Sequence, residues 1–426
     1  MAQNQMGATA RDSFAGFKRY FLQNFGGEIA IVLSSTGLGI TLGFALHDAT
    51  YSDMHSTSGI IVSIGRISGL LGTYLVLISL IVIARVPWIE KSVGFDRLVR
   101  LHRRLGPLSF SLITAHVVFI TLGYALVDSK SFVSEFFEIL TKYSWMYAAL
   151  ASFLLFIVVG ISSANRVRRK LRYETWWKLH LMSYLAVALS FMHQILTGSL
   201  FIFNDIAKSW WIFLHLYTAF TLVMWRFIFP IVRSFRHKLT VDHVDLESEN
   251  VASIYISGKN LEKIHARGGN FFEWRFLRKS LWGQAHPYSL SAAPTDTMLR
   301  ISVKNLGDHS AALSKVKPGT RVVAEGPYGI FTAARSSGDR VVLIGGGVGI
   351  APLRSILQDF NPETEIDLIY RVVTAQELIL KKEIDSLIAG KRIRVHYLVG
   401  EPQEFQMRAE DLLKLVPDMA LCNVYL

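Results

Sequence analysis

The sequence predicts a multidomain protein in which a six-helix transmembrane bundle is followed by a small β-barrel and an α/β domain. Hydrophobic residues make up 51% of the 426 residues, which is too many for an ordinary soluble enzyme. They fall in blocks between about residues 28 and 232. From about Leu239 the sequence alternates like antiparallel strands, and beyond residue 339 an apolar strand, a glycine-rich turn and a helix follow one another.

The composition also narrows the partners and the chemistry. A net charge of +12 is found in nucleic-acid-binding proteins and in membrane proteins, whose cytoplasmic loops collect Lys and Arg. The apolar blocks favour the membrane interpretation, with the lipid bilayer as partner and no nucleic acid. The single cysteine, Cys422, excludes an internal disulfide framework and a zinc or iron–sulfur site built on cysteines.

Six segments are long and apolar enough to cross a bilayer, which takes ~20 residues. They are residues 28–47, 60–84, 107–127, 145–164, 177–199 and 209–232. Basic residues gather before the first segment and in the connections 85–104, 166–178 and 233–238, so the positive-inside rule places both termini in the cytoplasm at the cell membrane. Phenylalanines at helical spacing within residues 1–27 predict an amphipathic helix on the membrane surface.

Two pairs of histidines lie in the third and fifth spans. In the third span His102 and His116 are 14 residues apart. In the fifth span His180 and His193 are 13 residues apart. Each pair extends ~20 Å along its helix, and we expect it to project to roughly one side. Because both spans run outward, His102 and His180 form an inner pair, and the other two form an outer pair.

Facing histidines at two depths predict two b-type haems, each with two imidazole ligands to its iron. A single histidine within a membrane is more often a packing residue or part of a proton relay, but two matched pairs favour the haem interpretation. We expect His215, in the sixth span, to be structural or weakly functional. His47 and His55 flank the first outer loop, where they are either solvated or attract an anionic acceptor.

Arg66 is a separate candidate near the outer end of the second span. A buried guanidinium needs an anion, and we assign it to a propionate of the outer haem at the acceptor site. The alternative is that Arg66 extends to the outer lipid headgroups. The neighbouring Gly65, Gly69 and Gly72 allow a close approach of a helix or of the haem plane.

Four short motifs mark the second half of the chain. They are HPYS at 286–289, LGDHS at 306–310, GPYG at 326–329 and LIGGGVGIAP at 343–352. Together with the histidine pairs they resemble the NADPH oxidase and ferric reductase superfamily, most of all its bacterial members. The resemblance implies a transmembrane haem-binding, ferric reductase-like domain, a ferredoxin-reductase-like FAD-binding β-barrel and an NAD(P)-binding α/β domain. These are assigned to residues 28–236, 237–335 and 336–426.

The resemblance also implies roles for single residues. Tyr288 is expected to pack against the flavin and Ser289 to hydrogen-bond near its reactive nitrogen. His286 stands where many relatives have Arg for the pyrophosphate, so its charge depends on pH. The implied FAD contacts are His286, Pro287, Tyr288, Ser289, Lys304, Gly307, His309 and Ser310. The implied NAD(P)H contacts are Gly345, Gly346, Gly347, Gly349, Ala351, Pro352 and Arg371.

Arg371 is expected to pair with a 2′-phosphate, which favours NADPH over NADH slightly; the alternative is a solvated residue at the end of a strand. Relatives continue past the last strand with Cys-Gly-Pro and a helix, whereas this chain ends at Leu426. We therefore expect the nucleotide domain to be C-terminally incomplete.

The activity implied is electron transfer from cytosolic NAD(P)H through FAD and the two haems to a small-molecule acceptor outside. Dioxygen, which would give superoxide, and a ferric or cupric chelate are both open as that acceptor. An electron conduit that serves a separate extracytoplasmic protein and a polytopic protein without haem are the alternatives. Since the sequence has no EF-hand loop, we expect any activity to be constitutive; the oligomeric state stays open.

Overall fold

The computed structural model describes residues 25–48, 56–279, 281–336 and 338–426. His55 and almost all of the predicted amphipathic helix at residues 1–27 therefore lie outside the described residues. The described residues form two compact units, which are divided between Val223 and Met224. The division between them falls inside the last apolar helix, Asp205–His237.

Among the described residues, six helices are long and apolar enough to span a membrane, which confirms the predicted architecture. Five of them are α1 (Phe25–Asp48), α2 (Thr57–Ile83), α4 (Phe95–Val127), α6 (Met146–Ser163) and α8 (Tyr173–Thr197). The sixth, Asp205–His237, comprises α10 (Asp205–Val223), a π-helical turn (Met224–Ile228) and α11 (Phe229–His237). Between them lie the shorter α3 (Pro87–Val93), α5 (Phe132–Lys142), α7 (Asn165–Arg168) and α9 (Ser199–Phe203). Six helices of this length and composition indicate a multi-pass membrane protein.

Two prolines fall inside these apolar helices. α4 begins at Phe95, well before the predicted span, and carries Pro107 in its interior. Proline has no N–H, so one helical hydrogen bond is lost there, yet the helix runs on to Val127 and holds His102 and His116 together. In the last span Pro230 follows the π-helical turn at the start of α11, where a missing N–H costs least.

Glycines bring α2 against α4. A methyl group at Gly65 would lie 2.9 Å from the backbone nitrogen of Ile120, and one at Gly72 would lie 2.9 Å from the Ile113 side chain. On the opposite helix, a methyl at Gly123 would lie 2.5 Å from Val62. Small residues that let two backbones approach closely are typical of helix packing in membranes. At Gly65 and Gly72 the structure therefore shows the close approach of a helix.

The second unit begins with two antiparallel sheets that face one core. Their strands are β1 (Thr240–Ser248), β2 (Val251–Ser257), β3 (Phe271–Phe276), β4 (His286–Ser289), β5 (Met298–Lys304) and β6 (Val322–Tyr328). The described strands have the orders β1-β2-β5 and β4-β3-β6, and isolated bridges extend the pairing from Thr240 to Arg321 and from Leu290 to Ile301. Fully buried Phe272, Trp274 and Ile254 fill the space between the sheets. This is the predicted small β-barrel.

A parallel sheet completes the second unit. Its strands are β7 (Arg340–Gly346), β8 (Glu365–Val372), β9 (Ile393–Val399) and β10 (Asn423–Tyr425), in the order β10-β7-β8-β9 among the described residues. The helices α13 (Ile350–Leu357), α14 (Lys381–Ile388) and α15 (Ala409–Leu415) connect them. The predicted α/β domain is confirmed, and the final residues of the chain form its fourth described strand.

Candidate functional site

The inner pair of histidines meets across α4 and α8. The ring centres of His102 and His180 are 5.9 Å apart, with the ring planes at 80°. His102 Nδ1 lies 2.7 Å from the hydroxyl of buried Ser79, and His180 Nδ1 lies 3.2 Å from the hydroxyl of Ser163. With both Nδ1 atoms engaged by hydroxyl oxygens, each ring retains Nε2 for another partner.

This geometry fits two imidazole ligands of one metal. The 5.9 Å between the two ring centres would allow both imidazoles to hold one metal ion through bonds of about 2 Å. Trp176 stacks on His180 at 5.2 Å and 25°, and its indole N–H donates to Ser163 Oγ at 3.3 Å. The partners of the rings thus fix their orientation, as hydrogen bonds to metal-bound histidines usually do.

The outer pair lines one largely apolar cavity of about 260 Å³. The Nδ1–H of His116 donates to the carbonyl oxygen of Gly65 at 2.8 Å, which leaves the lone pair of Nε2 free. His193 also lines the cavity, and its buried Nδ1 has no hydrogen-bond partner among the residues that the structure describes. What distinguishes His193 is its position in the lining of the same cavity as His116, where an unpartnered ring nitrogen is available to a ligand.

Arg66 belongs to the same cavity as the outer pair. Its guanidinium lies 3.7 Å from the carboxylate of Asp48 and donates to the hydroxyl of Tyr124 at 3.5 Å, both long contacts. The hydroxyl of Ser199 donates to the same Asp48 carboxylate at 3.1 Å. Neither Asp48 nor Tyr124 stands out in the sequence as a site residue, because Asp48 resembles an ordinary charge in a loop and a single tyrosine carries no positional signal.

The remaining membrane histidines have other surroundings. His215 donates from Nδ1 to the carbonyl of Trp211 at 2.9 Å and packs against the rings of Trp211 and Phe191. These are contacts of a packing residue, and the buried Nε2 of His215 has no partner within the described part of the chain. His47 lies exposed near the end of α1.

In the barrel, the two motifs assigned to the flavin come together. The ring centres of His286 on β4 and His309 on α12 (Asp308–Leu313) are 3.7 Å apart. Both nitrogens of His309 are buried without a hydrogen-bond partner among the described residues. Burial, and then the neighbouring His286, lower the pKa of His309 to about 4. His309 is therefore uncharged near neutral pH, and its unpartnered ring N–H can donate to an anion.

The other residues assigned to FAD are placed as follows. Burial raises the pKa of Tyr288 to about 12, so its phenol stays neutral, and the Trp274 indole holds the backbone carbonyl of Tyr288 at 3.0 Å. The Ser310 hydroxyl is engaged locally, since it accepts from the N–H of Leu306 at 2.8 Å and donates to the carbonyl of Gly307 at 2.9 Å. Pro287 and Ser289 lie on β4, and Lys304 ends β5.

The glycine-rich turn lies at the carboxyl edge of the parallel sheet, where ligands of such sheets bind. Gly345 and Gly346 end β7, and Gly347, with φ of +51°, and Gly349 lead into α13, which holds Ala351 and Pro352. Methyl groups at Gly347 and Gly349 would meet nothing within 4 Å, so the turn is open to a ligand. Because turns of this kind leave helix N–H groups free, they suit phosphate groups.

Arg371 on β8 is paired with Gly346 in the sheet register. Its Nε donates to the carbonyl of Phe405 at 3.2 Å, while its buried Nη2 has no hydrogen-bond partner in the described residues. The backbone of Arg371 thus lies beside the end of the glycine-rich turn, and its guanidinium retains an N–H group that can donate to a phosphate.

An ion network that the sequence analysis missed joins the barrel to the α/β domain. Both nitrogens of the Arg300 fork donate to the Glu383 carboxylate, at 2.7 and 2.9 Å, and Arg354 lies 2.8 Å from the same carboxylate. Arg300 and Arg354 are buried, with side chains 5% and 10% exposed. The sequence contains no local motif that predicts such a network, because its three members are far apart along the chain.

Two family models match parts of the chain. Residues 68–191 match the ferric reductase like transmembrane component, and residues 343–414 match the oxidoreductase NAD-binding domain. The first match contains His102, His116 and His180, and it ends two residues before His193. The second contains the glycine-rich turn and Arg371.

Several known proteins are similar to part of the chain. NADH-cytochrome b5 reductase 2-B of Vanderwaltozyma polyspora is 30% identical over 126 residues, which are 28% of this chain and 41% of that protein. The gamma subunit of sulfhydrogenase 2 of Pyrococcus furiosus is 30% identical over 115 residues, 26% of this chain and 40% of that protein. The chain thus spans less than half the length of these relatives. The flavohem-like FAD/NAD-binding domain of a Vibrio cholerae nitric oxide dioxygenase is 23% identical, with a TM-score of 0.35, over 44% of this chain and 96% of that one.

Proposed function

We propose that this chain, which combines a ferric reductase-like transmembrane domain with an oxidoreductase NAD-binding domain as in the NADPH oxidase and ferric reductase superfamily, is a transmembrane flavocytochrome. It transfers electrons from cytosolic NAD(P)H, through FAD and two b haems, to a small-molecule acceptor outside the cell. The observation that carries the proposal is the inner pair, two imidazoles with ring centres 5.9 Å apart and both Nδ1 atoms engaged.

The chain's own residues orient three of the four histidines for a metal. Ser79 and Ser163 orient the inner pair, and the carbonyl of Gly65 orients His116 so that Nε2 is directed away from the hydrogen bond. Haem iron, when bound by such a pair, carries one electron at a time. Two sites ~20 Å apart along the same helix divide the hydrocarbon thickness of about 30 Å into shorter distances.

The reductase half supplies the electrons. FAD, when bound, accepts a hydride from a nicotinamide and releases its electrons singly. The pairing of His286 with His309 suits the flavin pyrophosphate, the neutral phenol of Tyr288 suits packing on the ring system, and the open glycine-rich turn with Arg371 suits NADPH. The basic connections between the spans support a cytoplasmic position for this half.

The cavity of the outer pair supports a small-molecule acceptor. Its volume of about 260 Å³ is lined by Arg66, Asp48 and Tyr124 as well as by the outer histidines. A cation at this position stabilises an anion, either a haem propionate or the superoxide that forms from dioxygen. Dioxygen and a ferric chelate are the two acceptors we propose.

Reduced-minus-oxidised spectra of the purified chain test the haem assignment. We expect two low-spin b haems in the wild type, one in His116→Ala, and the same single haem in His193→Ala. His102→Ala should lose the other one. His215→Ala is the matched control within the membrane and should keep both. If the His116→Ala and His193→Ala variants retain two full haems, the ligand assignment is wrong.

The acceptor is identified with membranes that contain the protein. NADPH consumption is measured with dioxygen, with ferric citrate under nitrogen, and with neither. Cytochrome c reduction that superoxide dismutase suppresses would identify an oxidase. Turnover with ferric citrate alone would identify a ferric reductase and exclude the oxidase.

A further inference from the structure

Three carboxylates gather beyond the outer pair. Asp128 caps the C-terminal end of α4, and Glu135 and Glu138 lie on α5. One carboxylate oxygen from each lies within 4.8 Å of the others. We refer to these three residues as the acidic cluster.

Glu135 differs from an ordinary surface carboxylate. It is only 3% exposed, and its Oε2 has no hydrogen-bond partner among the residues that the structure describes. Burial, and then the charges of Asp128 and Glu138, raise its pKa above the usual range. An oxygen left unsatisfied in this way costs free energy until a proton or a cation reaches it.

The acidic cluster already attracts cations from its own chain. The ammonium of Lys130 pairs with Glu138 and lies 3.4 Å from Asp128, and Lys142 lies 3.6 Å from Glu138. None of these three contacts involves Glu135. Lys130 is a third exposed, so the arrival of a better cation can displace it into solvent.

The acidic cluster borders the cavity of the outer pair. Phe136 and Ile139, on the same short helix as the two glutamates, line that cavity. Tyr124 lines it as well, and the N–H of Asp128 donates to the carbonyl of Tyr124 at 2.9 Å. A cation held by the cluster is therefore one helical turn from the cavity wall.

We propose that the acidic cluster binds a hard metal cation and serves as the docking site for a metal-ion acceptor, an inference that rests on the proposed function. Carboxylate oxygens are the preferred ligands of hard divalent and trivalent cations. In the reaction, two ferric ions each gain one electron, and one NADPH becomes NADP⁺ and a proton. Because the ferrous product carries less charge than the ferric substrate, the carboxylates hold it less strongly and it leaves.

Binding of Mn²⁺ to the purified full-length chain tests the site without any turnover. The signal of free Mn²⁺ in electron paramagnetic resonance reports the bound fraction. We expect Glu138→Gln to weaken binding about tenfold, because one of three charged ligands is lost. Lys130→Gln should strengthen binding several-fold, because it removes the internal competitor; a merely structural role of the carboxylates does not predict this. Asp205→Asn, a carboxylate outside the cluster, is the matched control and should bind like the wild type.

Equal Mn²⁺ affinity in the wild type and Glu138→Gln, or weaker binding in Lys130→Gln, would overturn the proposal. With ferric citrate as acceptor, Glu138→Gln should raise KM and leave kcat unchanged. Mn²⁺ binding requires neither haem nor NADPH. A chain that binds Mn²⁺ as expected but shows no haem spectrum therefore refutes the proposed function and supports the cation site, and the reverse result refutes the cation site alone.

Discussion

Gly69 lies where α2 meets the ring of His116, and replacing it with alanine tests the packing of the outer pair. The added methyl would lie 2.5 Å from His116 Nδ1 and 2.8 Å from its Cγ. The ring cannot move away freely, because its Nδ1–H donates to the carbonyl of Gly65. Either the two helices separate or this hydrogen bond breaks.

A matched control removes the effect of helix propensity. Gly106 also lies within a helix, α4, and a methyl there would meet nothing within 4 Å. Both substitutions gain the same propensity, about 1 kcal/mol. Overpacking costs about 1–3 kcal/mol and the lost hydrogen bond about 1 kcal/mol. We therefore expect Gly69→Ala to be less stable than Gly106→Ala by about 2–4 kcal/mol.

Thermal unfolding in detergent, followed by tryptophan fluorescence, measures this difference, and visible spectra measure the haem content. Gly69→Ala should unfold at the lower temperature and lose one of the two haems in part, while Gly106→Ala should match or exceed the wild type. The reasoning is refuted if both variants unfold at the same temperature and have the same spectrum.

Three further predictions concern the reductase half. Folding lowers the pKa of His309 to about 4, so between about pH 6.5 and 4 this histidine is protonated in the unfolded chain but not in the folded one, and the free energy of unfolding should fall as the pH drops through that range. The midpoint of urea unfolding should therefore depend less on pH in His309→Gln than in the wild type. Glu383→Gln leaves the buried Arg300 without its charged partner, and thermal unfolding of the full chain should show a loss of about 2–3 kcal/mol of stability. Glu410 is exposed, and Glu410→Gln should lose almost no stability; equal losses in the two variants would contradict the role of the network. Arg371→Leu should raise KM for NADPH and leave KM for NADH unchanged; a parallel rise in both would remove the assignment to the 2′-phosphate.

The arrangement of the fold could be predicted from local sequence alone. Each span is a run of about 20 apolar residues, a length that only a membrane explains, and alternation with glycine and proline turns marks the barrel. Helix α5 escaped prediction because its 11 residues are too few to span a bilayer and their apolar face is only half of the helix. It is this helix that carries two members of the acidic cluster.

The four histidines were identified by spacing, but spacing alone could not orient them. Fourteen residues bring His116 to within ~40° of the direction of His102. Thirteen residues leave His193 ~140° from the direction of His180, so our expectation that this second pair projects to one side was wrong. The structure nevertheless places His180 beside His102 and His193 in the cavity with His116.

The sequence by itself determined the spans, the order of domains and the residue types capable of holding haem, flavin and nucleotide, because periodicity and composition are local properties. The tertiary structure alone decided which histidines meet, which hydroxyl or carbonyl fixes each ring, and which charges gather around Arg66 and Glu135. These outcomes depend on how closely helices approach. Between α2 and α4 the approach is set by glycines, and the sequence does not show which residues of the other helix lie against them.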